Sequence, residues 1–154
     1  MRTLTGILIS TGQMDRLYDG TLPLHLWRAF HKEQTDGKPL YPDFAARLVR
    51  GMIRRPDITI IEIGGVEHVE AEMVKGTSLF DRKGIFGERF FGYFEIPAGT
   101  DIPRGLVIIK GDFNDRYQAT HYSICPDHRM PKQHFIYLLD QLAANAMAAV
   151  KRVK

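Results

Sequence analysis

Three stretches of this chain set polar, chemically capable side chains inside otherwise apolar segments. In Gly76-Thr77-Ser78-Leu79-Phe80-Asp81, a glycine that permits close backbone approach precedes two hydroxyls, an apolar pair and an acid. Such a cluster either holds a sugar or serves as a turn or cap whose hydroxyls bond neighbouring backbone. In Gln118-Ala119-Thr120-His121-Tyr122-Ser123-Ile124, period-two alternation puts Gln118, Thr120 and Tyr122 on one face and Ala119, His121 and Ser123 on the other. Gln118 and His121 therefore share a cleft only if the strand bulges or begins after Gln118; otherwise His121 reads as a structural strand histidine. Arg28 follows Trp27 and precedes Ala29-Phe30. A guanidinium there is costly to bury unpaired, so it must reach a carboxylate, an open cleft or an anionic ligand.

Several large classes are excluded by what the sequence lacks. There is no GxxxxGK[ST] phosphate loop, GxGxxG, HExxH or paired CxxC. The six histidines form no i, i+4 pair on a clear helix, so no metal is expected. The lone Cys125 lies in an apolar strand without a neighbouring base, which argues against a thiol nucleophile and makes an intrachain disulfide impossible. A net charge of +3 permits attraction to acidic partners without choosing among them. No apolar run is long enough for a membrane span, and the run after Met1-Arg2-Thr3 is too short for a signal peptide. The expectation is a soluble protein not exported by the general secretory route.

The elements that must position these residues follow from periodicity. The chain's 154 residues, 44% of them hydrophobic, suit one domain spanning 1–154. Residues 1–23 read as a short strand or irregular arm followed by a turn. A strand is expected over Leu24 to Phe30, and a helix from Pro42, in which Phe44, Leu48 and Met52 recur every four residues, ending before Pro56. Ile58 to Ile63 reads as a strand stopped by Gly64-Gly65, while Val66 to Lys75 fits a strand or a helical turn equally. Further strands are expected at Phe90–Ile96, Leu106–Lys110 and Gln118–Cys125. A closing helix from about Pro131 presents Phe135, Leu138, Leu139, Leu142, Ala146 and Val150 on one face, with Lys151, Arg152 and Lys154 at its negative end. This order does not repeat strand-helix-strand, which favours α+β over a doubly wound sheet.

Taken together, the segments resemble the type VI secretion exported effector two toxins, relatives of the ADP-ribosyltransferases. The likeness rests on GTSLFDRKG from Gly76, IPAGTDIP from Ile96, QATHYSI from Gln118 and LDQLAANA from Leu139, in the family's order, with LWRAF at Leu26 and RPDI at Arg55 as thinner matches. It implies a split, strongly bent β-sheet enclosing a nicotinamide dinucleotide (NAD) cleft, and a toxin acting in a recipient cell's cytoplasm. Secretion machinery would deliver it, and a cognate immunity protein would neutralise it in the producer's cytoplasm. It further implies that Arg28 meets the pyrophosphate or ribose, that Thr77 and Ser78 position ribose and nicotinamide, and that Gln118 or His121 holds ribose hydroxyls. A neutral imidazole suits that last role because it accepts one hydrogen bond and donates another. Arg54, or Arg55, is a further phosphate candidate. The sequence departs from the transferase pattern where a glutamate is expected, since Gln118 and His121 carry no negative charge there. Two other functions stay open on the residues alone: an RNA-modifying phosphotransferase with Arg28, Arg54, Arg55 and His121 on phosphates, and a non-enzymatic module of a toxin-antitoxin pair.

Overall fold

The computed structural model describes residues 1–33 and 38–152. In chain order these form α1 (Leu4–Ser10), β1 (Leu17–Tyr18), β2 (Leu26–His31), β3 (Arg47–Val49), β4 (Met52–Arg54), β5 (Ile60–Ile63), β6 (Val66–Val69), β7 (Thr77–Phe80), β8 (Phe91–Ile96), β9 (Leu106–Asn114), β10 (Ala119–Pro126), β11 (Met130–Pro131) and α2 (Lys132–Arg152). Every strand pair is antiparallel, in sheets ordered β1-β9-β10-β7-β2-β8, β11-β6-β5 and β3-β4. Helices at the chain's ends around antiparallel sheets make this an α+β fold.

Alternation along the central strands builds two cores. Ile108, Tyr122 and Ile124 turn one way and pack with Phe135, Leu139, Leu142 and Ala146 of α2. Val107, Ile109 and Cys125 turn the other way and pack with Leu4 and Leu8 of α1. Lys151 and Arg152 close the last turn of α2; Lys154 lies outside the described residues. Burial pushes the Cys125 thiol up to about 12, so it is inert at neutral pH.

Three elements differ from the sequence-based expectations: the Gly76 segment, expected to hold a sugar or to form a turn or cap, runs into strand β7 over Thr77–Phe80, and two others change type. The amino-terminal arm is a helix: Thr3 caps α1, its Oγ1 accepting the Gly6 N–H at 2.9 Å, and only Leu4 and Leu8 need be buried. A window of seven helical residues is too short for periodicity to announce itself. The helix expected from Pro42 is instead a β3–β4 hairpin. Arg50 and Gly51 both take positive φ, 52° and 76°, the left-handed pair that closes a tight hairpin. The four-residue spacing was coincidental: Phe44 packs on the core, whereas Leu48 and Met52 are 72% and 75% exposed. The ambiguous stretch after Gly65 is a strand over Val66–Val69, paired to β5.

The central sheet is split between β2 and β7. β2 pairs with β8 over six residues but meets β7 only at Trp27–Phe80, so the two strands diverge beyond that point. On the other side, β7 lies so close to β10 that a Cβ at Gly76 would sit 1.9 Å from the Ile124 carbonyl oxygen. No rotamer relieves a clash with backbone. Gly76→Ala is therefore expected to cost about 3 kcal/mol or more, which calorimetric melting would read as a midpoint lowered by roughly 6 to 12 °C.

Candidate active site

The opening between β2 and β7 leads into a cavity of about 600 Å³, within the range that holds a cofactor-sized molecule. Arg28 spans the split. Its Nη1 donates to the Ser78 carbonyl (3.2 Å), Nη2 to Tyr41 (3.3 Å) and Nε to Pro39 (3.4 Å), tying β2 to β7 and to the segment that crosses the cavity. Burial lowers its pKa, and the Asp57 and Asp43 carboxylates oppose that effect. The guanidinium stays charged and lines the cavity.

Ser78 and His121 stand together in the cavity. The Ser78 Oγ lies 3.0 Å from His121 Nε2, and both side chains line the cavity. The register explains the meeting. His121 sits across from Phe80 on β7, and on its other side Thr120 pairs with Phe113 but Tyr122 with Lys110. Gly111 and Asp112 together oppose the single residue His121, a β-bulge of the kind that re-aims a side chain. Gly111 makes room for it, since a Cβ there would approach His121 O to 3.0 Å and Nδ1 to 3.2 Å. Burial lowers the His121 pKa below its ordinary 6.5, only partly offset by Asp112, so the imidazole is neutral at pH 7.

Thr77 and Gln118 are placed elsewhere. Alternation turns Thr77 to the opposite face, where it is fully buried and its Oγ1 donates to the Leu40 carbonyl at 2.6 Å. It anchors the segment over the cavity without lining it. β10 begins at Ala119, so Gln118 escapes the alternation; with φ 51° it lies in the β9–β10 turn, its Nε2 donating to the Asp115 carbonyl. Arg54 lines the cavity, whereas the exposed Arg55 does not.

The sequence reading missed Arg47, Asp43 and an aromatic wall. Arg47 is the cross-strand partner of Arg54, so both point from one face of the β3–β4 hairpin. Arg47 Nη2 is 3.1 Å from Asp43 Oδ2, and Arg54 reaches the same oxygen at 3.7 Å and Asp57 at 3.6 Å. Read as a helix, the segment hid this pairing; the Arg50-Gly51 turn was the available signal. Phe80, Phe86 and Phe91 form the wall, with Phe86 centred 5.9 and 5.2 Å from the other two. The Tyr93 hydroxyl accepts the Phe86 N–H and donates to the Gly87 carbonyl, holding the Phe86 loop in place. Among the described residues, the charged side chains around the cavity are Arg28, Lys38, Arg47 and Arg54 against Asp43, an arrangement that favours anionic groups electrostatically. No metal-ligating cluster occurs among the described residues, and no described helix is long and apolar enough to cross a membrane.

A split antiparallel α+β sheet with a cationic, aromatic-walled cleft that holds a Ser–His pair has the architecture of an ADP-ribosyltransferase-type toxin. The family model described as Tse2 ADP-ribosyltransferase toxin matches residues 5–150. Among curated proteins, Toxin Tse2 of Pseudomonas aeruginosa is 38% identical over 109 residues, a match covering 70% of this chain and 66% of the relative's length. The chain belongs to the Tse2 ADP-ribosyltransferase toxin family.

Two outcomes follow. The unfolded chain binds a proton at His121 more readily than the folded one, so this residue's contribution to stability is complete above about pH 6.5 and is lost as pH falls through the lower folded value. Melting midpoints measured between pH 7 and 5 should fall in the wild type, and the fall should be shallower in His121→Gln. Gly111→Ala should push His121 by a few tenths of an ångström. It is expected to lower toxicity on expression roughly tenfold or more while the melting midpoint shifts little, as read by colony survival beside calorimetry.

Proposed function

We propose that the chain is an antibacterial toxin that uses NAD as the substrate of ADP-ribosyl transfer, delivered through type VI secretion into a recipient's cytoplasm and neutralised in its producer by an immunity protein. Delivery and neutralisation rest on the family. The chemistry rests on one observation: the Ser78–His121 pair, the aromatic wall and the cation excess converge on a single cavity.

The residues fit the parts of such a substrate. Arg47 and Arg54, paired on the β3–β4 hairpin, suit the diphosphate, with Arg28 as a further lining cation. Ser78 and the neutral imidazole of His121 suit ribose hydroxyls, one group able to donate while the other accepts. Phe80, Phe86 and Phe91 offer faces and edges for a planar ring. Transfer proceeds by breaking the ribose-to-nicotinamide bond through a state with developing positive charge. Among the described lining residues Asp43 is the carboxylate, and Arg47 and Arg54 already hold it. Orientation and the aromatic π faces, rather than a glutamate, are left to favour that charge. Thr77 contributes by pinning Leu40, and Gln118 by shaping its turn.

Titration calorimetry with NAD and growth after induced expression in a bacterium test the reading together. Ser78→Ala and His121→Ala should each relieve growth arrest and reduce NAD consumption by about a hundredfold. Wild-type protein that gives no binding heat, or variants as toxic as the wild type, would sink it.

A further inference from the structure

Every residue from Ala45 to Pro56 is exposed, and the β3–β4 hairpin lies at the centre of that stretch. Its sequence, Arg47-Leu48-Val49-Arg50-Gly51-Met52-Ile53-Arg54-Arg55, interleaves arginines with large apolar side chains and contains no acid. Leu48 pairs with Ile53 on one face, at 72% and 77% exposure, and Val49 with Met52 on the other, at 40% and 75%. The ribbon is therefore apolar on both faces, and folding covers neither. At its base Arg47 and Arg54 turn to Asp43 and Asp57. Among the described residues no acid pairs with Arg50 in the turn or with Arg55 just past β4.

We propose that this hairpin is a membrane-docking element that sets its apolar tip into the interface of an anionic lipid bilayer. Burial of hydrocarbon and attraction of basic groups to negative headgroups are the two contributions that hold an interfacial element, and the hairpin offers both in one short segment. The arginine stems add to the apolar surface while their guanidinium groups stay at headgroup level. A strand of three residues is about 10 Å long, which matches the roughly 5 to 10 Å depth of the headgroup–acyl boundary. The outer edges of this two-stranded sheet lack ladder partners among the described residues, so the tip stops at that hydrated boundary and does not enter the hydrocarbon core. A protein surface of fixed shape covers one face of such a ribbon and leaves the other wet, whereas lipid surrounds the tip. A second copy of the hairpin would set arginine against arginine. Because Arg47 and Arg54 also line the cleft, a docked molecule carries its cleft at the bilayer surface. This inference stands apart from the NAD reading.

Flotation of the full chain with vesicles of phosphatidylethanolamine and phosphatidylglycerol, beside vesicles of phosphatidylcholine alone, tests the assignment. The protein should rise with the anionic vesicles, and raised salt should release it. Arg50→Gln should lower the partition coefficient roughly fivefold, and Leu48→Ser combined with Ile53→Ser roughly tenfold or more. Arg104→Gln, at an exposed arginine outside the hairpin, should leave it unchanged. Lipid brominated on its acyl chains should quench the fluorescence of Met52→Trp and leave that of the wild type, from Trp27 in β2, unaltered. No flotation, equal binding to both kinds of vesicle, or hairpin variants that float like the wild type each overturns the proposal. So does a dimer, seen by light scattering in place of vesicle binding and dissolved by the Leu48→Ser, Ile53→Ser pair, which gives the hairpin to a second copy. Capture of the immunity protein that the same pair abolishes, again without vesicle binding, gives it to that partner instead.

Discussion

The guanidinium of Arg28 holds together a sheet whose own ladder does not. β2 and β7 meet at the single pair Trp27–Phe80, too little to fix two strands that must diverge around a cleft. Arg28 replaces the missing ladder with three donations to backbone carbonyls, of Ser78 on β7 and of Pro39 and Tyr41 in the segment over the cavity. Carbonyls at a split would otherwise lack partners, and a buried cation without acceptors would be worse. Asp43 and Asp57 supply the opposing charge at longer range. Lysine, with a compact ammonium, cannot reach three divergent carbonyls. Arg28 is thus architectural, and it also lines the cleft.

The His121 side of the cleft obeys a different constraint. A regular strand would have put Gly111 or Asp112 alone across from His121; the bulge supplies both, one giving room and the other charge. Burial keeps the imidazole neutral while Asp112 limits the shift. A neutral ring beside Ser78 Oγ can donate one hydrogen bond and accept another, whereas a protonated one would add positive charge beside the arginines of the cavity. Burial therefore serves the cleft electrostatically as well as sterically.

What could be read in the sequence was what local pattern determines. Apolar runs marked β5 and β9, one apolar stripe marked α2, and Gly76 marked a close backbone approach, although the strand that follows it read as a turn or cap. Alternation even posed the right question about Gln118 and His121, answered by where β10 begins. Two features were illegible because they depend on partners remote in sequence. Thr77 and Ser78 carry similar chemistry, and only the sheet decides that one meets Leu40 and the other the cavity. Arg47 gained a role only when Arg50-Gly51 folded it back onto Arg54, against a four-residue spacing that mimicked a helix.

That hairpin also carries the fold's least settled surface. Leu48 and Ile53 pair across it on one face and are 72% and 77% exposed, while Val49 and Met52 pair on the other, also exposed. A two-stranded ribbon open on both faces has little intrinsic stability. Here its base is held by ion pairs from Arg47 and Arg54 to Asp43 and Asp57, reinforced by the Asp43 N–H donating to Asp57 at 2.7 Å. The two arginines that fix the ribbon also line the cleft. An anionic ligand bound there would compete with Asp43 for them, and would then be coupled to the position of the hairpin by an equal free energy in each direction.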